Sequence, residues 1–294
     1  MLLLLMTVFI VCSCKNNHGG VIIPEKDTAC NGNTVFCTNF EENNWRSVWD
    51  DYDGNPDNTN TLIANPGPFN IAGNHVMNLR VPAGEAGADM IKVLPQQYDK
   101  LYVRWYQYWT PGYDFTKGSH GSGLHAGERW LVGTSGQKPD GTNFIYTTFD
   151  PSAATNNLGR PYLYTYYRGM YQDCADPNGS CWGDHFPCFS GPSYCTNAAH
   201  TATASKLPPP VVAGKWYKIE IMLDMGTPGT SASEAKGILN LWIDNKEYGP
   251  WNKLWFRSTN DLQLSILWMN LWYPNGPTNG IYLDNIAVST QPFH

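Results

Sequence analysis

Two histidines and a ladder of tyrosines are the residues best suited to moving protons in this 294-residue chain. His120 and His125 fall in the glycine-rich stretch Lys117-Gly118-Ser119-His120-Gly121-Ser122-Gly123-Leu124-His125-Ala126-Gly127. Tyr162, Tyr164 and Tyr166 alternate, so in an extended segment they share one face, with Arg168 near its end. Arg104 stands in the aromatic run Leu101-Tyr102-Val103-Arg104-Trp105-Tyr106-Gln107-Tyr108. Histidine takes or gives a proton near neutrality, and a tyrosine can return one to a leaving oxygen. Arginine can balance a carboxylate, or the negative charge that develops beside one during proton removal. These types assign His120 as base or charge neutraliser, Tyr164 or Tyr166 as acid/base and Arg104 as carboxylate partner, with His125 a second candidate. The structural alternative is a hydrogen-bonding loop histidine beside tyrosines that only pack a sheet.

Helical periodicity is nearly absent from the elements that must carry these groups. Short alternating runs bounded by Gly, Pro, Asn and Asp recur at 100–110, 143–150, 161–168, 215–224, 237–244, 262–272 and 280–289. Several strands separated by turns predict an all-β fold, a two-sheet antiparallel β-sandwich, as one domain over 30–294. In the run from Leu101, one face carries Leu101, Val103 and Trp105 and the other Tyr102, Arg104, Tyr106 and Tyr108. Lys218 and Glu220 fall on the polar face of their strand, and Trp242 on the polar face of its own. If these strands share a sheet, Tyr106, Tyr108, Lys218, Glu220 and Trp242 line a groove, with Tyr162 and Arg168 on a neighbouring strand. With 12 Trp and 17 Tyr against 15% charged residues, such a groove suits sugar rings. The net charge is −6 and no run rich in Lys or Arg occurs, so no nucleic-acid partner is expected.

A glycosidase needs two carboxyl groups flanking the bond. The nearest approach to an acidic catalytic strand, Glu220-Ile221-Met222-Leu223-Asp224, lacks a third acid and the right spacing. Hydrolysis by Glu220, Asp224 and Asp244 therefore ranks second, beside a non-catalytic carbohydrate-binding module and a surface protein with a protein partner. Cys30 and Cys37 are close enough for a local loop. Cys174, Cys181, Cys188 and Cys195 follow at intervals of seven amid Gly, Pro, Asp and Ser, as a loop stapled by two bridges around 174–195. Their pairing stays open among three arrangements. A zinc site is disfavoured because CxxC spacing is absent, and no organic cofactor is indicated.

The apolar run from Met1 to Val11 is too short to span a membrane. With Val11-Cys12-Ser13-Cys14 and Lys15-Asn16-Asn17 it resembles a bacterial lipoprotein signal. That resemblance implies a signal peptide over 1–13, lipidation of Cys14, a tether over 14–29, and an exported protein anchored to a bacterial membrane or cell surface. Phe36-Cys37-Thr38-Asn39-Phe40-Glu41 and Tyr282-Leu283-Asp284-Asn285-Ile286 resemble the first and last strands of concanavalin-like jelly rolls. In many of these the two strands meet beside a structural calcium, for which Glu41 and Asp284 can supply oxygen ligands. The run from Leu101 to Tyr106, then Pro111-Gly112-Tyr113-Asp114-Phe115, then Lys117 to Gly127, looks like the central segment of jelly-roll polysaccharide lyases of the alginate- and glucuronan-cleaving families. The resemblance implies β-elimination on a uronic-acid-containing polysaccharide. In the alginate-type pattern a Lys stands four residues before the Leu of the Gly-Leu segment; here that position is His120. The family's Tyr-x-Tyr strand has its counterpart in Tyr162-Leu163-Tyr164-Thr165-Tyr166, whereas its Ser-x-Arg pair has none within Asn143 to Phe149.

Overall fold

The computed structural model describes residues 30, 33–42, 44–52, 59–170, 179–188, 207–274 and 276–293. The leader over 1–13, Cys14, the tether over 14–29, and Cys174 and Cys195 lie outside them.

Among the described residues strand follows strand, with short 3-10 turns between some of them. They are β1 (Thr34–Thr38), β2 (Asp51–Tyr52), β3 (Asn60–Ala64), β4 (His75–Val81), β5 (Gly87–Tyr98), β6 (Lys100–Trp109), β7 (Gly123–Gly127) and β8 (Phe144–Ala154). After these come β9 (Leu158–Tyr166), β10 (Asp184–Phe186), β11 (Trp216–Asp224), β12 (Gly237–Ile243), β13 (Lys246–Glu247), β14 (Trp251–Leu254), β15 (Leu264–Trp272) and β16 (Asn279–Ser289). One sheet runs β13-β12-β11-β6-β16-β4-β3, with β1 on β16 and β14 on β12. The other runs β10-β9-β8-β7-β15-β5-β2, and the paired strands in both are antiparallel.

The period of two decides what lies between the sheets. From β6, Leu101, Val103, Trp105 and Trp109 are buried inward. Trp105 and Trp109 meet Phe149 of β8 at ring-centre distances of 6.2 and 6.3 Å, which joins the sheets across the core. From the facing sheet come Leu163, Leu267, Met269 and Leu271, all buried. Rings of this size dominate the stability; cutting Trp105 back to alanine would cost about 3–5 kcal/mol. The faces read from the sequence for β6, β11 and β12 stand as expected, and these three strands are neighbours in one sheet.

Two expectations are corrected. The stretch around His125, read as a glycine-rich loop, is strand β7, in the middle of its sheet between β8 and β15. Its glycines serve close approach rather than turning. A Cβ at Gly123 would stand 1.8 Å from the Thr147 carbonyl oxygen, and one at Gly121 2.2 Å from that of Phe149. The tyrosine strand β9 lies in the opposite sheet from Arg104. Leu163 and Thr165 face the core from β9, so Tyr162, Tyr164 and Tyr166 point away from β6. The groove-face residues of the sequence are therefore divided between the two outer surfaces of the sandwich.

Candidate active site

Register across the β9-β8-β7-β15-β5 sheet builds the site row by row on its outer face. Tyr164 pairs with Thr148, Thr148 with Gly123, Gly123 with Trp268, and Trp268 with Ile91. One row along, Tyr162 pairs with Asp150, and Asn270 pairs with Asp89. Ahead of β7, His120 is bound to Trp272 by two backbone hydrogen bonds, 3.1 Å from its N–H and 2.9 Å to its carbonyl. The histidine thus sits as firmly as a strand residue.

Its ring lies between Tyr164 (4.9 Å, planes 15° apart) and Trp272 (4.9 Å, 31°). The His120 Nδ1 is 2.5 Å from the Asp150 carboxylate, which also accepts the Gly121 N–H at 2.8 Å. Asp150 is fully buried, whereas the His120 side chain keeps 37% of its exposure. An Nδ1–H donated to Asp150 leaves Nε2 with its lone pair, so the buried carboxylate orients the ring as a base.

His120 lies where two cavities meet. The larger, about 400 Å³, is lined by Asp89, Tyr146, Thr148, Trp268, Asn270 and the loop 132–135. The smaller, about 280 Å³, is lined by Lys117, Ser119, Tyr162 and His185. Both share His120, Tyr164, Trp182 and Trp272. The Thr148 hydroxyl is buried with no hydrogen-bond partner among the described residues, on the wall of the larger cavity. Burial first, and His120 second, push the His185 imidazole down to about 3, so it is neutral at ordinary pH.

Trp182 comes from the cysteine-rich segment, which the tyrosine hydroxyls hold over the sheet. Tyr164 Oη accepts the Gly183 N–H at 3.2 Å and donates to Tyr166 Oη at 3.3 Å. Tyr166 Oη donates to the Cys181 carbonyl at 3.1 Å and accepts the Gly136 N–H at 3.3 Å. Burial, before any neighbour, raises Tyr164 and Tyr166 above the ordinary phenol range, so both stay protonated. Cys181 and Cys188 are each disulfide-bonded, and Cys30 joins Cys37 as the spacing suggested.

Of the residues singled out in the sequence, His120, Tyr162 and Tyr164 line the cleft, and Tyr166 joins Tyr164 through its hydroxyl. The others stand elsewhere. His125 is fully buried on β7 beside Phe144 and Tyr146, pushed down to about 4 by burial against a smaller upward pull from the Leu131 backbone. Arg104 lies on the far sheet under the Phe293 ring, in register with Glu220, which pairs with Trp242. Tyr106 leans on Phe69, and Tyr108 stacks on Tyr282, both on that far sheet. Lys218 donates to Asn245 Oδ1, and Arg168 covers the Trp255 ring. Alternation put Arg104, Tyr106, Tyr108, Lys218, Glu220 and Trp242 on one outer face as expected, but the face is that of the other sheet. The acids proposed for hydrolysis do not converge: Asp224 pairs with Lys100 and Asp244 with Lys215.

Asp150, Thr148, His185, Trp182, Trp268, Trp272 and Asn270 escaped the sequence reading. Asp150 ended the strand expected over 143–150, and its period-two relation to Thr148 was the available signal. Nothing local pointed to Trp182 or His185.

At the expected calcium position the Asn65 and His75 carbonyl oxygens and Asp284 Oδ2 all stand 3.1 Å from Asn74 Nδ2. Burial first, with Glu41 adding to it, raises the Asp284 carboxyl to about 7. Glu41 itself accepts the His75 N–H at 3.0 Å. Among the described residues no three His, Cys, Asp or Glu side chains gather for a metal, so a cation here would draw mainly on carbonyl and amide oxygens. The point on which these three oxygens converge is the Asn74 amide nitrogen itself, which donates to them.

No family model and no curated protein matches the chain. Solved structures do. A PL-14 alginate lyase from Aplysia kurodai superposes with a TM-score of 0.62 at 13% identity, over 88% of this chain and 99% of that one. The alginate lyase vAL-1 from Chlorella virus gives 0.58 at 15% identity, over 83% and 94%. The endo-β-1,4-glucuronan lyase of Trichoderma reesei gives 0.54 at 13% identity, over 88% and 96%. The chain is a concanavalin-like jelly roll. The resemblance drawn from Leu101 to Gly127 is thus borne out in the fold, which also hosts other activities, so the function must be argued from the site.

Proposed function

We propose that the chain is a polysaccharide lyase that cleaves a uronic-acid-containing polysaccharide by β-elimination. The observation that carries this reading is the His120–Asp150 pair at the junction of two aromatic-walled cavities. His120 Nε2 takes the C5 proton of the uronate; the electron pair forms the C4=C5 double bond as the C4–O4 bond breaks. The departing oxygen receives a proton from a neutral tyrosine of the cleft wall, Tyr164, stacked on His120, whose hydroxyl turns from Tyr166 to give it. The uronate carboxylate lies toward Lys117, the cation on the cleft wall. Its charge must be balanced before C5 becomes acidic enough. The lyase fold of the neighbours supports the same reading.

Incubation with polyuronates and uronate-containing heteropolysaccharides, followed at about 235 nm for the conjugated double bond, tests it. A rise that His120→Ala abolishes supports the lyase. Retention on the glycan with no rise makes the protein a binding module, and new reducing ends without absorbance make it a hydrolase.

The same reading includes export and lipid anchoring through Cys14, which would bring the cleft to polymer outside the cell, and a structural calcium on Asp284 that ties the 65–75 turn to β16.

A further inference from the structure

Among the described residues the cleft wall is mostly aromatic and, beside the neutral imidazole of His185, carries little positive charge. Trp182, Trp268 and Trp272 dominate it, and among the described residues Lys117, on the smaller cavity, is the one Lys or Arg that lines either. The negative groups among the described residues are Asp89, on the wall of the larger cavity, and Asp150, which pairs with His120. Asp89 is held toward that cavity by Trp268 Nε1 at 3.4 Å. Arg129, just ahead of the 132–135 wall, pairs with Asp51.

The two sides of His120 therefore differ. The smaller cavity has Lys117 and suits a carboxylate. The larger has Asp89, the buried Thr148 hydroxyl and the Trp268 ring, a set that accepts and donates hydrogen bonds to sugar hydroxyls and stacks on an uncharged ring. A second carboxylate placed there would face Asp89 in a partly desolvated site, where like charges repel.

We infer that the substrate is a polysaccharide in which a 4-linked uronate alternates with a neutral sugar, the uronate bound on the Lys117 side of His120 and the neutral sugar on the Asp89 side. This rests on the lyase reading for the bond that breaks, and on the cavity walls for the sugars on either side.

The test compares homopolyuronates (alginate and a 4-linked glucuronan) with hyaluronan and unsulfated chondroitin, in which glucuronate alternates with a neutral amino sugar. Two readouts are taken on the same protein: unsaturated ends at about 235 nm, and retardation in gels containing each polymer. The alternating polymers should be retarded more strongly, and cleaved with a kcat/KM higher by on the order of tenfold. Asp89→Asn should narrow that difference by a similar factor. Equal or better binding and cleavage of the homopolyuronates overturns the inference and leaves the lyase standing, as does an Asp89→Asn variant with an unchanged preference. The expected order of retardation with no absorbance from any polymer overturns the lyase and leaves the class of glycan. Absence of both retardation and cleavage overturns both.

Discussion

Replacing Asp150 by asparagine changes one charge and almost no volume. In the native site the carboxylate is fully buried and accepts from His120 Nδ1 at 2.5 Å and from the Gly121 N–H at 2.8 Å. An amide there offers one acceptor where two were in use. Either the Gly121 contact is lost, or the amide NH2 faces the imidazole and favours the tautomer with its proton on Nε2. That tautomer cannot take a proton from C5. A hydrogen bond to a charged group is worth about 1.5–3 kcal/mol, and a misoriented or wrongly protonated base costs more in the transition state. kcat should therefore fall roughly 10²- to 10⁴-fold, while KM, set by the aromatic walls, moves by less than about threefold. Initial rates at about 235 nm on the best polymer, with circular dichroism to confirm the fold, make the measurement. A folded Asp150→Asn protein that keeps more than about a third of the native kcat would refute the role given to the pair.

Trp272→Ala removes one of the two rings that hold His120 and part of both cavity walls; KM should rise about tenfold, and an unchanged KM in steady-state assays counts against a sugar platform there. Tyr166→Phe deletes the hydroxyl that holds Cys181 and Gly136, so it should cost about 1 kcal/mol in urea unfolding and raise KM more than it lowers kcat; a loss confined to kcat would instead make Tyr166 a proton carrier. His125 and His185 have folded pKa values of about 4 and about 3 against 6.5 unfolded, so the unfolded chain takes up protons first as pH falls. Their stability is complete above pH 6.5 and drains toward pH 4, opposed by Asp284, whose raised pKa of about 7 works the other way. In calcium-free buffer the net of two groups against one is a loss of about 1 kcal/mol per pH unit over that range, and urea midpoints that stay level from pH 6.5 to 4.5 would contradict it. Calcium should raise Tm and a chelator lower it, with the response gone in Asp284→Asn; a Tm indifferent to both removes the ion from that turn.

The strands with strong alternation were legible nearly to the residue: β6 covers Lys100–Trp109 where 100–110 was expected, and β12 Gly237–Ile243 where 237–244 was. Alternation also told inward from outward residues on β6 and β11. It could not say which sheet a strand joins, because period two is the same in both. Arg104 and Tyr164 were therefore read as neighbours when the whole core lies between them. Strand β7 was hidden for the opposite reason. Its glycines resemble a loop, and only the closeness of the Thr147 carbonyl shows that the strand needs them. His120 was recognisable from its place after the aromatic strand. Its partner Asp150 lies thirty residues away and meets it through register, which no local pattern encodes.

The double backbone bond between His120 and Trp272 divides labour in a way that bears on how such a protein can change. His120 is fastened to the framework, whereas Trp182 and the 132–135 wall belong to connections laid over it. Connections of this kind can be exchanged, lengthened or recoloured without moving His120. Grafting a new 128–136 or 179–188 segment onto this frame should redirect which polymer is gripped while the proposed elimination step is inherited intact. An engineer seeking another specificity has reason to start from those two segments and to leave the histidine's strand alone.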